Sequence, residues 1–165
     1  MCGISGIITN NENKNKYVSY LNKKQIRRGP DNNDIYVDDN IALGHCRLAI
    51  QDVSNKANQP YIYKEFVMVY NGEIYNYKNL KEELITEKNE IFLTNSDTEL
   101  LMKMFYYYEK EIVLNKLEGM FSIALYNKKK NTLTLIRDRF GEKPLHFYED
   151  KNKFIFASIP APIAK

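Results

Sequence analysis

Short apolar runs set off by polar, turn-forming residues organise this chain. Residues 3–8, rich in Ile, read as a strand that starts almost at the terminus. The Asn/Lys-rich stretch 10–16 reads as a loop, residues 17–26 as a short helix, and Arg28-Gly29-Pro30-Asp31 as a turn. Ile41–Ile50 and Phe66–Tyr70 read as strands, separated by a polar loop that ends in Gln59-Pro60. Residues 77–88 predict a helix, with Leu80 and Leu84 four apart on one face. Ser96-Asp97-Thr98-Glu99 is a capping box ahead of Leu100, Leu101, Met104 and Phe105 at helical spacing. Strand-like runs follow at 119–126, 132–137 and 153–157, and Pro144–Tyr148 adds a fourth.

The order is strands, helices, then strands joined by hairpin turns. That order favours an α+β domain with antiparallel sheets over a parallel doubly wound one. No internal repeat, low-complexity segment or linker interrupts the chain, and the tail Ile159–Lys165, with two prolines, reads as a domain edge.

Composition narrows the picture. A chain of 165 residues fits one domain and buries roughly 70% of its unfolded surface without staples. The formal charge of +3 is too small and too evenly spread to imply a nucleic acid or membrane partner. Lys128, Lys129 and Lys130, between two apolar runs, read as a solvated hairpin tip. Two cysteines, Cys2 and Cys46, do not make a disulfide framework, so a reduced compartment is expected. No basic, apolar leader and no run of about 18 apolar residues is visible, and the expected location is cytoplasmic. No metal-ligand spacing joins the two cysteines and two histidines.

Cys2 is the first residue that carries chemistry. Removing Met1 would leave a thiol and a free α-amine on one residue, with reference pKa values of about 8.5 and about 7.7–8.0. A nucleophile and a base of matched strength would then share a terminus, the amine serving as general base. Gly3 and Gly6 would let other backbone approach closely. On position alone, a buried or incidental cysteine is the commoner case.

Five segments change that weighting: Met1-Cys2-Gly3-Ile4-Ser5-Gly6, Arg28-Gly29-Pro30-Asp31, Gly44-His45-Cys46-Arg47-Leu48-Ala49-Ile50, Asn71-Gly72-Glu73-Ile74-Tyr75-Asn76 and Ser96-Asp97-Thr98-Glu99. In this order and spacing they resemble the glutaminase domain of class II, N-terminal nucleophile (Ntn) glutamine amidotransferases. The likeness is to the branch found in glutamine-hydrolysing asparagine synthetases. Leu117–Ala124 and Arg137–Leu145 resemble the same branch, and the likeness runs from residue 1 to about residue 158.

The resemblance implies a four-layer αββα sandwich, two antiparallel sheets between helices, with residues 1–165 as one glutaminase domain. It implies that Cys2 attacks the side-chain amide carbon of L-glutamine, and that Asn71 and Gly72 supply the oxyanion donors. Asn-Gly by itself is also the strongest short hairpin signal. Arg47 would pair with the substrate carboxylate through its planar fork, though for a lone arginine a surface ion pair is the preferred reading. Leu48 and Ile50 would line the same strand end. Asp97 would accept the α-ammonium, with Glu73 in the same polar cluster; an acidic residue there also suits a helix start. Arg28 to Asp31 would lie near the nucleophile. His45 and His146 receive no catalytic role, and Cys46 reads as a small apolar filler.

Two positions depart from the resemblance. Arg27 stands where a histidine is frequent, and Ile159 follows Ala157-Ser158 where a glutamate is usual. Asparagine synthetases also carry a larger domain that uses ATP and Mg to activate aspartate, and neither a Ser-Gly-Gly-x-Asp-Ser loop nor a P-loop occurs here. The chain itself is therefore expected to need no cofactor, and its partner is expected to be a synthetase domain or subunit that accepts ammonia. An excised fragment, a docking subunit and a stand-alone protein all fit the sequence. The expected reaction is hydrolysis of L-glutamine to L-glutamate and ammonia through a γ-glutamyl thioester on Cys2. The alternatives are a glutaminase domain of another class II amidotransferase, or a non-catalytic glutamine-binding domain of the same fold.

Overall fold

The computed structural model describes residues 1–161 and 163, so Pro162, Ala164 and Lys165 of the tail lie outside the described residues. Two antiparallel sheets face one another. The first contains β2 (Asn32–Val37), β3 (Ile41–Arg47), β1 (Gly3–Thr9), β9 (Lys153–Ala157) and β8 (His146–Glu149), in that spatial order. The second contains β4 (Tyr61–Tyr63), β5 (Phe66–Ile74), β6 (Gly119–Asn127) and β7 (Thr132–Arg137).

Alternation along the strands explains the layering. Ile4, Ile41, Leu43 and Phe156 of the first sheet meet Val67, Val69, Ala124 and Tyr126 of the second in a buried inter-sheet core. The opposite face of the first sheet packs Ile7, Ala42 and Ile155 against Val18 and Leu21 of α1 (Lys14–Gln25). The outer face of the second sheet packs Met68, Tyr70, Ile74 and Ile123 against α2 (Tyr77–Lys88), α3 (Asp97–Tyr107) and α4 (Lys110–Lys116). The result is the expected α+β sandwich in four layers, αββα. No helix among the described residues is long and apolar enough to cross a membrane.

Several boundaries differ from the sequence reading. The expected loop 10–16 gives up its last three residues to α1, whose entry is tied by the Asn11 side chain accepting from Asn13 N–H at 2.8 Å. The strand expected over Ile41–Ile50 stops at Arg47, because the Leu48 and Ala49 N–H groups turn to Cys2 Sγ and to Asp31 Oδ2 instead of a ladder. The strand expected over Phe66–Tyr70 runs on to Ile74, with Asn71 opposite Ser122 and Gly72 opposite Phe121. Asn71-Gly72 is therefore strand and not hairpin turn. The glycine is required there: a Cβ at 72 would lie 2.3 Å from Met120 O and 2.7 Å from the Tyr70 ring.

Gly6 accommodates side chains rather than backbone, since a Cβ there would lie 2.3 Å from Phe156. The capping box is incomplete. Ser96 Oγ accepts from Thr98 N–H at 3.1 Å, but Glu99 reaches to Leu93 and Thr94 and not back to Ser96. Lys128–Lys130 do form an exposed turn between β6 and β7.

Candidate active site

The parity of three strands builds the site. Gly3 lies opposite Cys46 in the β1–β3 ladder, and both belong to the face that meets α1: Gly3 abuts Gln25, and Cys46 Sγ lies 3.4 Å from Asn22 O. Their neighbours Cys2 and Arg47 therefore fall on the inter-sheet face. On β5, Val67 and Val69 face the inter-sheet core, which places Asn71 on the same side. The Cys2 thiol from one sheet and the Asn71 amide from the other thus line one cavity, of about 190 Å³. Cys2, Arg47, Leu48, Ile50, Asn71, Gly72, Glu73 and Asp97 all line it.

Cys2 is held at both ends. Its Sγ donates to Leu48 O at 3.7 Å and accepts from Leu48 N–H at 3.4 Å. Its carbonyl accepts from Arg28 Nε at 2.9 Å, which puts the Arg28–Asp31 segment beside Cys2. Asp31 closes the same corner by donating its N–H to Arg47 O and accepting from Ala49 N–H. Burial pushes the Cys2 thiol above the ordinary thiol range, against the opposing pull of the Leu48 N–H, the terminal ammonium and Arg47.

Asn71 Nδ2 is buried without a hydrogen-bond partner. Orphaned buried donors are rare because each costs about 1–3 kcal/mol, which singles this one out among the residues lining the cavity. Arg47 makes no ion pair among the described residues. Its Nη1 donates to Ser54 O at 2.8 Å and to Asn58 Oδ1 at 2.6 Å, and Nη2 donates to Asp52 O. A buried arginine that braces the 52–58 segment replaces the surface ion pair considered from sequence.

Asp97 opens α3, but Ser96 does the capping. The Asp97 Oδ2 accepts from Tyr70 O–H at 2.8 Å and from Ile74 N–H at 3.1 Å. Burial raises the Asp97 carboxyl above its ordinary value, partly offset by these donors. Glu73 and Ile50 sit at the rim, both exposed, and Ile50 is 75% so. His45 bridges the sheets beneath the site, with Nε2 3.1 Å from Tyr70 O. Burial pushes its pKa down to about 3, so it stays neutral, with Nε2 donating and Nδ1 unpartnered.

Sequence reasoning missed Gln59, Tyr70 and Lys143, which also line the cavity. Gln59 had a faint signal as a polar residue before Pro60; Tyr70 read only as an apolar strand position. Among the described residues no three His, Cys, Asp or Glu side chains gather as a metal cluster.

A family described as glutamine amidotransferase domain matches residues 1–165. The putative asparagine synthetase [glutamine-hydrolyzing] 2 of Methanocaldococcus jannaschii is 37% identical over 96% of this chain and 34% of its own length. Asparagine synthetase [glutamine-hydrolyzing] 2 of Bacillus subtilis is 39% identical over 96% of this chain and 21% of its own. The chain thus spans about a third or less of these relatives. Among solved structures, glutamine phosphoribosylpyrophosphate amidotransferase from B. subtilis superposes with a TM-score of 0.86 at 20% identity, covering 99% of this chain and 43% of that one. At that identity the likeness establishes the fold alone.

Proposed function

The chain belongs to the glutamine amidotransferase domain family, and from that premise we propose that its cavity hydrolyses L-glutamine to L-glutamate and ammonia, with Cys2 as nucleophile. One observation carries the reading: the Cys2 thiol and the unpartnered Asn71 amide line the same cavity from opposite sheets.

With Met1 removed, the α-amine of Cys2 takes the thiol proton, because burial holds the thiol neutral. The sulfur adds to the side-chain amide carbon of glutamine. The oxyanion that forms accepts from Asn71 Nδ2 and Gly72 N–H. The amine then returns its proton to the departing nitrogen, the C–N bond breaks, and ammonia leaves a γ-glutamyl thioester. Water adds to the thioester with the same amine as base, and the C–S bond breaks to release glutamate.

Arg47 holds the substrate carboxylate. Three of its five N–H donors go to the 52–58 segment, which leaves two for a carboxylate fork. Asp97 takes the α-ammonium, Glu73 adds negative charge at the rim, and Leu48 and Ile50 flank the entrance. Residues 1–165 act as one glutaminase domain without a cofactor of their own.

The ammonia passes to a synthetase domain or subunit, which carries ATP and Mg and makes asparagine from aspartate. The support is the identity of 37–39% to proteins named as glutamine-hydrolysing asparagine synthetases. A cytoplasmic location is in keeping with two free cysteines.

Intact-protein mass spectrometry before and after incubation with 6-diazo-5-oxo-L-norleucine tests the reading. The expected result is loss of one methionine and a single adduct that maps to Cys2. A retained Met1, or a free Cys2 that takes no adduct, would overturn it.

A further inference from the structure

Tyr70 is fixed at three points. Its N–H donates to Gln59 Oε1 at 2.6 Å, its carbonyl faces His45 Nε2 at 3.1 Å, and its hydroxyl donates to Asp97 Oδ2 at 2.8 Å. Gln59 also donates through Nε2 to Thr98 Oγ1 at 3.3 Å, so it ties β5 to the first turn of α3. The second donor to Asp97, Ile74 N–H, falls on the same oxygen, Oδ2. No hydrogen bond among the described residues falls on Oδ1, although the Thr98 N–H, which donates to Ser96 Oγ, also helps to stabilise the carboxylate. A carboxylate with one oxygen doubly engaged and the other open is fixed in rotation, and its open oxygen belongs to a residue that lines the cavity. The plain reading is that Asp97 merely satisfies a buried phenol. However, a phenylalanine would fill the same space without that need.

We propose that Tyr70 is a positioning residue for substrate recognition: its hydroxyl locks the Asp97 carboxylate so that Oδ1 alone receives the α-ammonium of glutamine. The inference rests on the proposed glutamine site and deepens it. Preorganisation of this kind acts on ligands that carry the ammonium and is silent for those that lack it.

The test compares L-glutamine with glutaramate, the same molecule without the α-amine. Calorimetry in a Cys2→Ala background, which binds without turnover, measures both dissociation constants with wild-type Tyr70, with Tyr70→Phe and with Tyr70→Met. The expected result is that both variants bind glutamine about tenfold more weakly, the scale of one hydrogen bond to a charged group, with glutaramate unchanged. The acid limb of glutamine affinity also moves to higher pH in the variants, because a carboxylate without its phenol donor protonates more readily. Equal affinities for glutamine in wild type and variants, or equal losses for both ligands, would overturn the proposal, as would failure of both variants to fold. A wild type that binds neither ligand would instead overturn the glutamine site itself.

Discussion

The Cys2 sulfur sits against both polar groups of one residue, 3.4 Å from the Leu48 nitrogen and 3.7 Å from its oxygen. This arrangement lets the backbone serve either protonation state, accepting a hydrogen bond from the thiol or donating one to the thiolate. Burial decides between them in favour of the thiol.

Alkylation should separate the two cysteines. Cys46 is buried, and burial first, with Cys2 second, pushes its pKa up to about 11. Iodoacetamide on the folded protein at pH 8 is expected to label Cys2 alone. In the chain that retains Met1, the rate should climb with a midpoint above the ordinary thiol value, since the thiolate is the reacting form. Two adducts per chain at pH 8 would contradict the packing described here.

Asn71→Ala should divide catalysis from stability. The amide nitrogen has no partner to lose, so unfolding in urea is expected to change by less than about 1 kcal/mol. The turnover number with glutamine should fall about 10²–10³-fold, as for loss of an oxyanion donor. Comparable losses in the Michaelis constant and none in turnover would assign Asn71 to ground-state binding instead.

Asp97→Asn should stabilise the fold while weakening recognition. The folded carboxyl has a raised pKa, so its ionisation opposes folding, and the penalty grows as pH rises through that value. An amide oxygen can still accept from Tyr70 and Ile74. The variant's melting temperature is expected to exceed that of wild type by a few degrees at pH 7, with the gap closing in acid where Asp97 is protonated. Glutamine affinity should fall at least about tenfold. Scanning calorimetry at the two pH values, with and without glutamine, reads both effects.

Lys103→Met should be costly. The ammonium lies 2.7 Å from Glu90 and 3.1 Å from Glu99, with side-chain exposures of 4%, 12% and 1% respectively. Removing it strands two carboxylates, an effect of about 3–5 kcal/mol. Glu99 also holds Leu93 and Thr94, immediately before the helix that begins at Asp97. Urea denaturation should show the loss, and glutamine affinity should weaken with it. A variant as stable as wild type would show the pair to be dispensable.

Strong periodicity made some elements readable without coordinates. The helix 77–88 and the β6–β7 hairpin match because their apolar spacing and turn chemistry point to one answer. β2, β4 and α4 left no such trace. β2 is half polar, at a sheet edge; β4 has three residues; and α4 buries only Val113. The candidate residues that line the cavity could be named from sequence because several motifs recur in a fixed order, not because any one motif is distinctive. Asn71-Gly72 shows the limit. Local turn preference lost to nine paired positions along β5 and β6, a tertiary effect invisible to a dipeptide. The bracing of Arg47 by 52–58 was hidden for the same reason, since its acceptors are mostly backbone carbonyls.

Cys2 and Asn71 stand on separate leaves, and what lies between those leaves is a filled core, with Val69 and Ala124 on one side and Ile4 and Phe156 on the other. Those side chains act as shims. Thickening or thinning one of them by a methyl group would open or close the jaws at a cavity it never touches, since tightly packed interiors transmit strain. Tuning this domain is thus a carpenter's problem, set by the thickness of its middle and not only by the residues at its mouth.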